Sequence, residues 1–330
     1  MKVHTPLTIA YFTCRKDPKV EWFFRSLNRE LGGDWEGVNI MIVDYWFQYN
    51  EQERQEYYQG IHTKYTNNVI ILSPKPCPIQ GKYKVTSNEY FAASNARNTA
   101  FINCKTDYIV CIDDLTVIKE GWLDIVLWGQ LNNHVILGSY AKVKNLQCNE
   151  DGTYTYDEDS LTQGLDSRYT NPYITNPTAT QVGGSWLFGC SFGLPLSLAL
   201  HVDGFDEACD GQGAEDYDFG IRLGRVTRNI FYSKQMFTYE DDDLHFAPGN
   251  QKFIRDSKIL TPDTLMKNRI GRPSDHAMLD HVLASKTPFP FIPSNLNILR
   301  KQYHDSKVPH DVIDFVDTKD WRDGQPYKEM

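Results

Sequence analysis

Four short apolar runs, each closed by a polar or proline residue and set apart by helical patterns, constrain this chain more than any other feature. They are LTIAYFT (7–13), VNIMIVDYW (38–46), NVIILSP (68–74) and DYIVCIDD (107–114), rich in β-branched and aromatic residues. Between the first two lies KVEWFFRSLNRELGG, where Val20, Phe23, Phe24 and Leu27 follow helical spacing and Gly32 is a stop signal. Between the third and fourth lies NEYFAASNARNTAFINC, also helix-like. Repetition of strand, helix and strand predicts an α/β fold with a mainly parallel central sheet flanked by helices.

In such sheets ligands bind beyond the carboxyl ends of the strands. The polar residues at those ends are Thr13, Arg15 and Asp17, then Asp44, then Ser73, then Asp113 with Asp114. Adjacent carboxylates at a strand end suit a divalent cation carrying a phosphate-bearing ligand. Two acids there also serve simply as turn residues. The sequence has no G-x-x-x-x-G-K-S/T and no G-x-G-x-x-G after the first strand, which argues against ATP or NAD cradled by glycines.

The 330 residues, 41% hydrophobic, are enough for one to two domains with a buried core. A formal charge of -9 argues against a protein that coats nucleic acid or anionic membrane, although a local basic groove fits within an acidic whole. Seven scattered cysteines, with no C-x-x-C pair, point to neither a zinc ribbon nor a disulfide framework. The N-terminus lacks a signal-peptide pattern, and no apolar run reaches the roughly 18 residues of a membrane span. The expectation is a cytoplasmic protein without a transmembrane segment.

From about Lys142 to Thr180 the chain is polar, and NEDGTYTYDED reads as a hairpin or inserted loop. Beyond about Pro262 proline and scattered charge dominate, so residues 262–330 are expected to be an irregular extension packed on the main domain. Ahead of it, GFDEACDGQGAEDYDFGIRLGR places Glu215 and Asp216 directly after a glycine-rich run, at what reads as the start of a helix. Acidic residues favour a helix's first turn for electrostatic reasons alone. Glycines there also let backbone approach a ligand closely.

The ordered segments TIAYFTCRKDP, IMIVDYW, SNARNTAFINCKTDYIVCIDDLTVIKEGWL, GGSWLFGCSFGLPLSLALHVDGFDE and GQGAEDYDFGIRLGR carry a resemblance. Over roughly residues 5 to 250 the chain resembles family 2-type glycosyltransferases of the GT-A fold, with a galactosyltransferase-like C-terminal region. The resemblance implies a GT-A catalytic domain over 1–261, its nucleotide-sugar half at about 1–120 and its acceptor half at about 180–250. It implies transfer of a sugar from a UDP- or GDP-sugar to a carbohydrate or other hydroxyl acceptor, inverting and assisted by Mn²⁺ or Mg²⁺.

By the same resemblance Asp216 is the general base, with Glu215 beside it. Thr13, Arg15, Asp44, Arg97, Asp113 and Asp114 fall to the donor. Gly183, Gly184, Trp186 and Asp218 fall to the sugar and acceptor, and Asp113, Asp114 and His245 to the metal. His245 reads equally as an ordinary surface or core histidine. One departure stands out: Leu115 lies two positions after Asp113, where the family carries a carboxylate. A nucleotidyltransferase would need a glycine in YFTCRKDPK, which has none. A noncatalytic carbohydrate binder would account for the 19 Tyr and 7 Trp but needs no paired strand-end acids. A glycosyltransferase acting on a modified base, with nucleic acid as acceptor only, would need a positive groove.

Overall fold

The computed structural model describes residues 2–47, 50–75, 91–207, 215–245, 296–297 and 300–301. All four apolar runs are strands: β1 (Leu7–Thr13), β2 (Val38–Asp44), β3 (Val69–Leu72) and β4 (Tyr108–Asp113). The helical patterns between them are α1 (Val20–Leu31) and α3 (Ala93–Asn103), and α2 (Glu51–His62) joins β2 to β3. Gly32 ends α1 in the left-handed conformation, φ 60°, as its place in the sequence predicts.

Further along come β5 (Thr116–Ile118), α4 (Trp122–Leu131), β6 (Val135–Val143), β7 (Gln147–Cys148), β8 (Tyr154–Thr155) and α5 (Leu161–Gly164). They are followed by β9 (Thr180–Gln181), β10 (Ser191–Pro195), α6 (Leu196–His201), α7 (Glu215–Val226), β11 (Ile230–Asp241) and α8 (Asp242–His245). β7 and β8 pair as an antiparallel hairpin, β8 within the segment NEDGTYTYDED and β7 just before it.

The central nine-stranded sheet runs β3-β2-β1-β4-β10-β6-β11-β5, with β9 on β11. Its first four strands are all parallel. β10 then runs antiparallel to both β4 and β6, and β11 runs parallel to β6. The carboxyl ends of β1, β2, β4, β6 and β11 therefore share one edge. The chain steps from β1 outward to β2 and β3 and returns to place β4 on the other flank of β1, a topological switch point.

Strand alternation explains the burial of both faces. Leu7, Ile9 and Tyr11 pack with α1, α2 and α4 through Phe23, Phe24, Leu27, Tyr58 and Trp122. Ala10 and Phe12 face the other way, onto Ala96, Ala100 and Phe101 of α3 and Phe219 and Leu223 of α7. A large apolar side chain buried this way contributes roughly 1.5–3 kcal/mol. Of the region expected as a C-terminal extension, Leu296 is fully buried in the α3 and α7 cluster, and Arg300 donates to the carbonyls of Phe101 and Ile102, both at 3.1 Å. Apart from Asn297 and Lys301, the rest of it lies outside the described residues, among which no helix is long and apolar enough to cross a membrane.

A 3-10 turn, Gly184–Trp186, lies against α7 so closely that a Cβ on Gly220 would collide with the Gly184 carbonyl, and one on Gly184 with that of Gly220. Gly60 in α2 has open space around it. Helix propensity alone favours alanine over glycine by about 1 kcal/mol. Gly60→Ala is expected to raise the melting temperature, whereas Gly220→Ala lowers it through overpacking of about 1–3 kcal/mol. Thermal denaturation of both variants checks this; equal shifts of one sign would show that the seam yields.

Candidate active site

α3 is buried on every side from Ser94 to Ile102, so its one arginine has no route to solvent along the helix surface. The Arg97 guanidinium lies between the rings of Phe12 (5.8 Å) and Phe205 (5.2 Å). It donates through Nη2 to the Gly189 carbonyl (3.2 Å) and Asp113 Oδ1 (3.3 Å), and through Nη1 to Glu215 Oε1 (3.4 Å). A Cβ at position 189 would meet the guanidinium, so a larger residue there would displace Arg97. The next residue, Asn98, bonds the Phe205 backbone in both directions at 2.8 and 2.9 Å, fixing the Gly-Phe-Asp-Glu turn over α3. Gly204 in that turn has φ 65°.

The switch point holds a second cluster. Thr13 donates to Asp114 Oδ2 (2.7 Å) and Arg15 Nε to Asp114 Oδ1 (2.9 Å), so both carboxylate oxygens are engaged. Arg15 also reaches the His245 carbonyl (2.8 Å) and His245 Nδ1 (3.0 Å). A guanidinium only donates, so Nδ1 accepts and the ring proton of neutral His245 sits on Nε2. Burial, with the Lys142 and Arg15 charges, lowers the His245 pKa to about 3.

Asp44 is fully buried: Arg54 Nε (2.6 Å) and Tyr58 Oη (2.9 Å) donate to its Oδ2, and Trp46 N–H (2.8 Å) to its Oδ1. Arg54 in turn donates to the carbonyls of Lys16 (2.7 Å) and Arg15 (3.0 Å). Asp44 thereby anchors the loop that carries Arg15.

On the opposite flank, Glu215, Asp216 and Asp218 form the first turn of α7. Asp216 accepts from Gly189 N–H (3.0 Å) and Tyr217 N–H (2.7 Å). Asp218, about 200° further around the helix, instead pairs with Arg222 at 2.9 Å and is buried. Gly183 leads into the 3-10 turn, and Trp186 packs on the Tyr232 ring at 5.4 Å. Arg168, buried with Asp166 (2.6 Å) and lying over the Phe188 ring at 3.9 Å, donates to the Trp186 carbonyl and holds this wall in place. The Gly211–Ala214 run lies outside the described residues.

Partial burial, followed by the Asp114 charge, pushes the Asp113 carboxyl up to about 6 against the pull of Arg97, although 37% of its side chain stays exposed. Burial and the neighbouring Asp216 charge push Glu215 up to about 7, again opposed by Arg97. Glu240, near the end of β11, is raised to about 8 by burial and then by Asp113. It is 7% exposed, and its Oε1 has no hydrogen-bond partner. Sequence reasoning passed over three contributors here: Glu240, its register partner Lys142 on β6, and Gly189. Glu240 was hidden inside the acidic run EDDD, yet strand alternation puts it on the face opposite Tyr239, which packs in a core cluster. Among the described residues no three His, Cys, Asp or Glu side chains converge to hold a metal ion.

No family model matches this sequence, and no curated protein matches it. Solved structures do resemble it. GalNAc-T7, solved with UDP, GalNAc and Mn²⁺, superposes with a TM-score of 0.54 at 9% identity, over 91% of this chain and 55% of that one. Residues 1–349 of S. aureus TarS give 0.48 at 12% identity, over 73% of this chain and 62% of that one. The chain thus spans less than two thirds of either structure. The fold is the GT-A α/β fold of the nucleotide-diphospho-sugar transferases.

Glu215 gives a pH signature. The folded chain keeps its proton up to about 7, whereas the unfolded chain releases it near the ordinary value of 4.5. Its contribution to stability is therefore complete below about 4.5 and declines as pH rises to about 7. Glu215→Gln should gain in melting temperature relative to wild type between pH 4.5 and 8. Scanning calorimetry across that range checks it; a gap independent of pH would mean that the buried carboxyl ionises normally.

Proposed function

We propose that this chain is a glycosyltransferase of the family 2 type, moving a sugar from a nucleoside-diphosphate sugar, UDP- or GDP-linked, to an acceptor hydroxyl with inversion. The observation that carries this reading is the Arg97 bridge: one buried guanidinium joins a strand-end carboxylate, Asp113, to the first turn of α7, where Asp216 lies. Leaving-group chemistry and proton acceptance then sit on two sides of one fixed cation.

In this reading Asp216 takes the proton from the acceptor hydroxyl. Two of its roughly four lone-pair sites are used by Gly189 and Tyr217 N–H groups, which orient the carboxylate and leave the others for the acceptor. Glu215, its carboxyl raised by burial and by the Asp216 charge, lies beside Asp216 where it can hydrogen-bond the acceptor. Trp186, beside Gly183 and Gly184, walls the sugar, and the buried Asp218–Arg222 pair steadies α7 beneath it. At the donor end Thr13 and Arg15, fixed by Asp114, face the diphosphate, and Asp44 acts through Arg54 to hold that loop.

A divalent cation fits the strand end. Asp113 keeps 37% of its side chain exposed, and the neighbouring Glu240 has a buried oxygen without a partner. Asp113 would hold the cation, whose charge would offset that of the departing diphosphate. GalNAc-T7, which shares the fold and was solved with UDP and Mn²⁺ together, supports the same donor class.

Asp216→Asn keeps the shape and removes the base. Transfer from a panel of UDP- and GDP-sugars is expected to fall by about 10²–10⁴. Donor affinity, read by calorimetry, should stay within about twofold. Transfer within a few-fold of wild type would remove Asp216 from the mechanism, and binding without turnover in wild type would favour a carbohydrate-binding role.

A further inference from the structure

Leu115 occupies the position where the family resemblance calls for a carboxylate, and its burial, not its backbone conformation, is what disfavours one there. Its φ is 58°, a left-handed conformation that is costly for a branched aliphatic residue. The turn is held by Leu115 N–H to the Pro18 carbonyl (3.3 Å) and Tyr11 Oη (3.1 Å). The side chain is 1% exposed, so an acid at 115 would be buried in the interior. The Leu115 carbonyl accepts from Asp241 N–H at 3.1 Å, which ties the end of β11 to this same turn.

That tie brings the preceding residue to the site. Glu240 pairs in register with Thr116 on β5 and Lys142 on β6. Its carboxyl group lies within electrostatic reach of Asp113, Lys142, Asp114 and Arg15. Unpartnered buried carboxylate oxygens are rare, and one set among other acids marks a place for a cation. The other expected ligands are engaged. Asp114 has both oxygens bonded to Thr13 and Arg15, and His245 presents its lone pair to Arg15.

We propose that Glu240 and Asp113 form the protein's half of a divalent-cation site, β11 supplying the carboxylate that the β4–β5 turn lacks. This rests on the nucleotide-sugar reading above. Diphosphate oxygens and water complete the shell, as is usual for Mg²⁺-type sites. An all-oxygen set accommodates Mg²⁺ and Mn²⁺ alike, in contrast to a site containing histidine.

The test uses the full chain, with UDP and GDP titrated calorimetrically in EDTA, Mg²⁺ or Mn²⁺, and loss of the free Mn²⁺ paramagnetic signal as a second readout. In wild type the cation should tighten nucleotide binding at least tenfold. Glu240→Gln should abolish that gain and the signal loss, while nucleotide affinity in EDTA stays within about twofold. Glu240→Asp should retain part of the gain, and circular dichroism with thermal melts verifies folding of both variants. His245→Ala should leave the cation effect intact. A cation effect undiminished in Glu240→Gln, or lost in His245→Ala alone, overturns the assignment. Equal nucleotide affinity in EDTA and Mn²⁺ overturns the cation site but leaves the transferase standing. No binding of either nucleotide by wild type under any condition overturns the donor reading itself, and this inference with it.

Discussion

A guanidinium taken out of water cannot shed its charge, and the centre of this molecule is arranged around that fact. Arg97 is 5% exposed, so its N–H groups require acceptors from the protein itself. Those on Nη1 and Nη2 find the Gly189 carbonyl, Asp113 and Glu215, contributed by three separate stretches of chain, while Nε has no hydrogen-bond partner. Removing one partner of a buried ion typically costs about 3–5 kcal/mol, which makes the geometry stiff. The fully buried α3, the glycine at 189 and the aromatic faces of Phe12 and Phe205 all follow from making room for that one side chain.

The same logic recurs at smaller scale. Arg54 on Asp44, Arg15 on Asp114, Arg222 on Asp218 and Arg168 on Asp166 each convert a buried carboxylate into an anchor for backbone. Asp216 differs, being held by backbone N–H groups. Hydrogen bonding to backbone donors sets its direction without an arginine bound to it.

The sheet was legible wherever burial on both faces left a continuous apolar run, as in β1, β2 and β4, and α1 was legible from its amphipathic spacing. α3 shows no apolar stripe because every face is covered, and its identity came from composition. β10 escaped the sequence reading, since two glycines and a serine in GCSFGLP mask a strand pressed between two neighbours. Among the site residues, the identities at 97, 113, 215 and 216 were readable as motifs. Their partners were not: Arg15 and His245 are 230 positions apart, and no local pattern encodes such a pair. Asp218 with Arg222 could have been anticipated from i, i+4 spacing alone. Glu240 was invisible because an acidic run ordinarily reads as a solvated surface.

The glycine seam between the Gly184–Trp186 turn and α7 has a mechanical consequence. With no side chains interposed, backbone rests on backbone, and such a contact has no rotamers through which to yield. The turn that carries Trp186 and the helix that carries Asp216 therefore move together, and the spacing between them is a fixed gauge. A related sequence that carries side chains at positions 184 and 220 would have to hold this turn further from α7, because the two backbones leave no room for a Cβ between them.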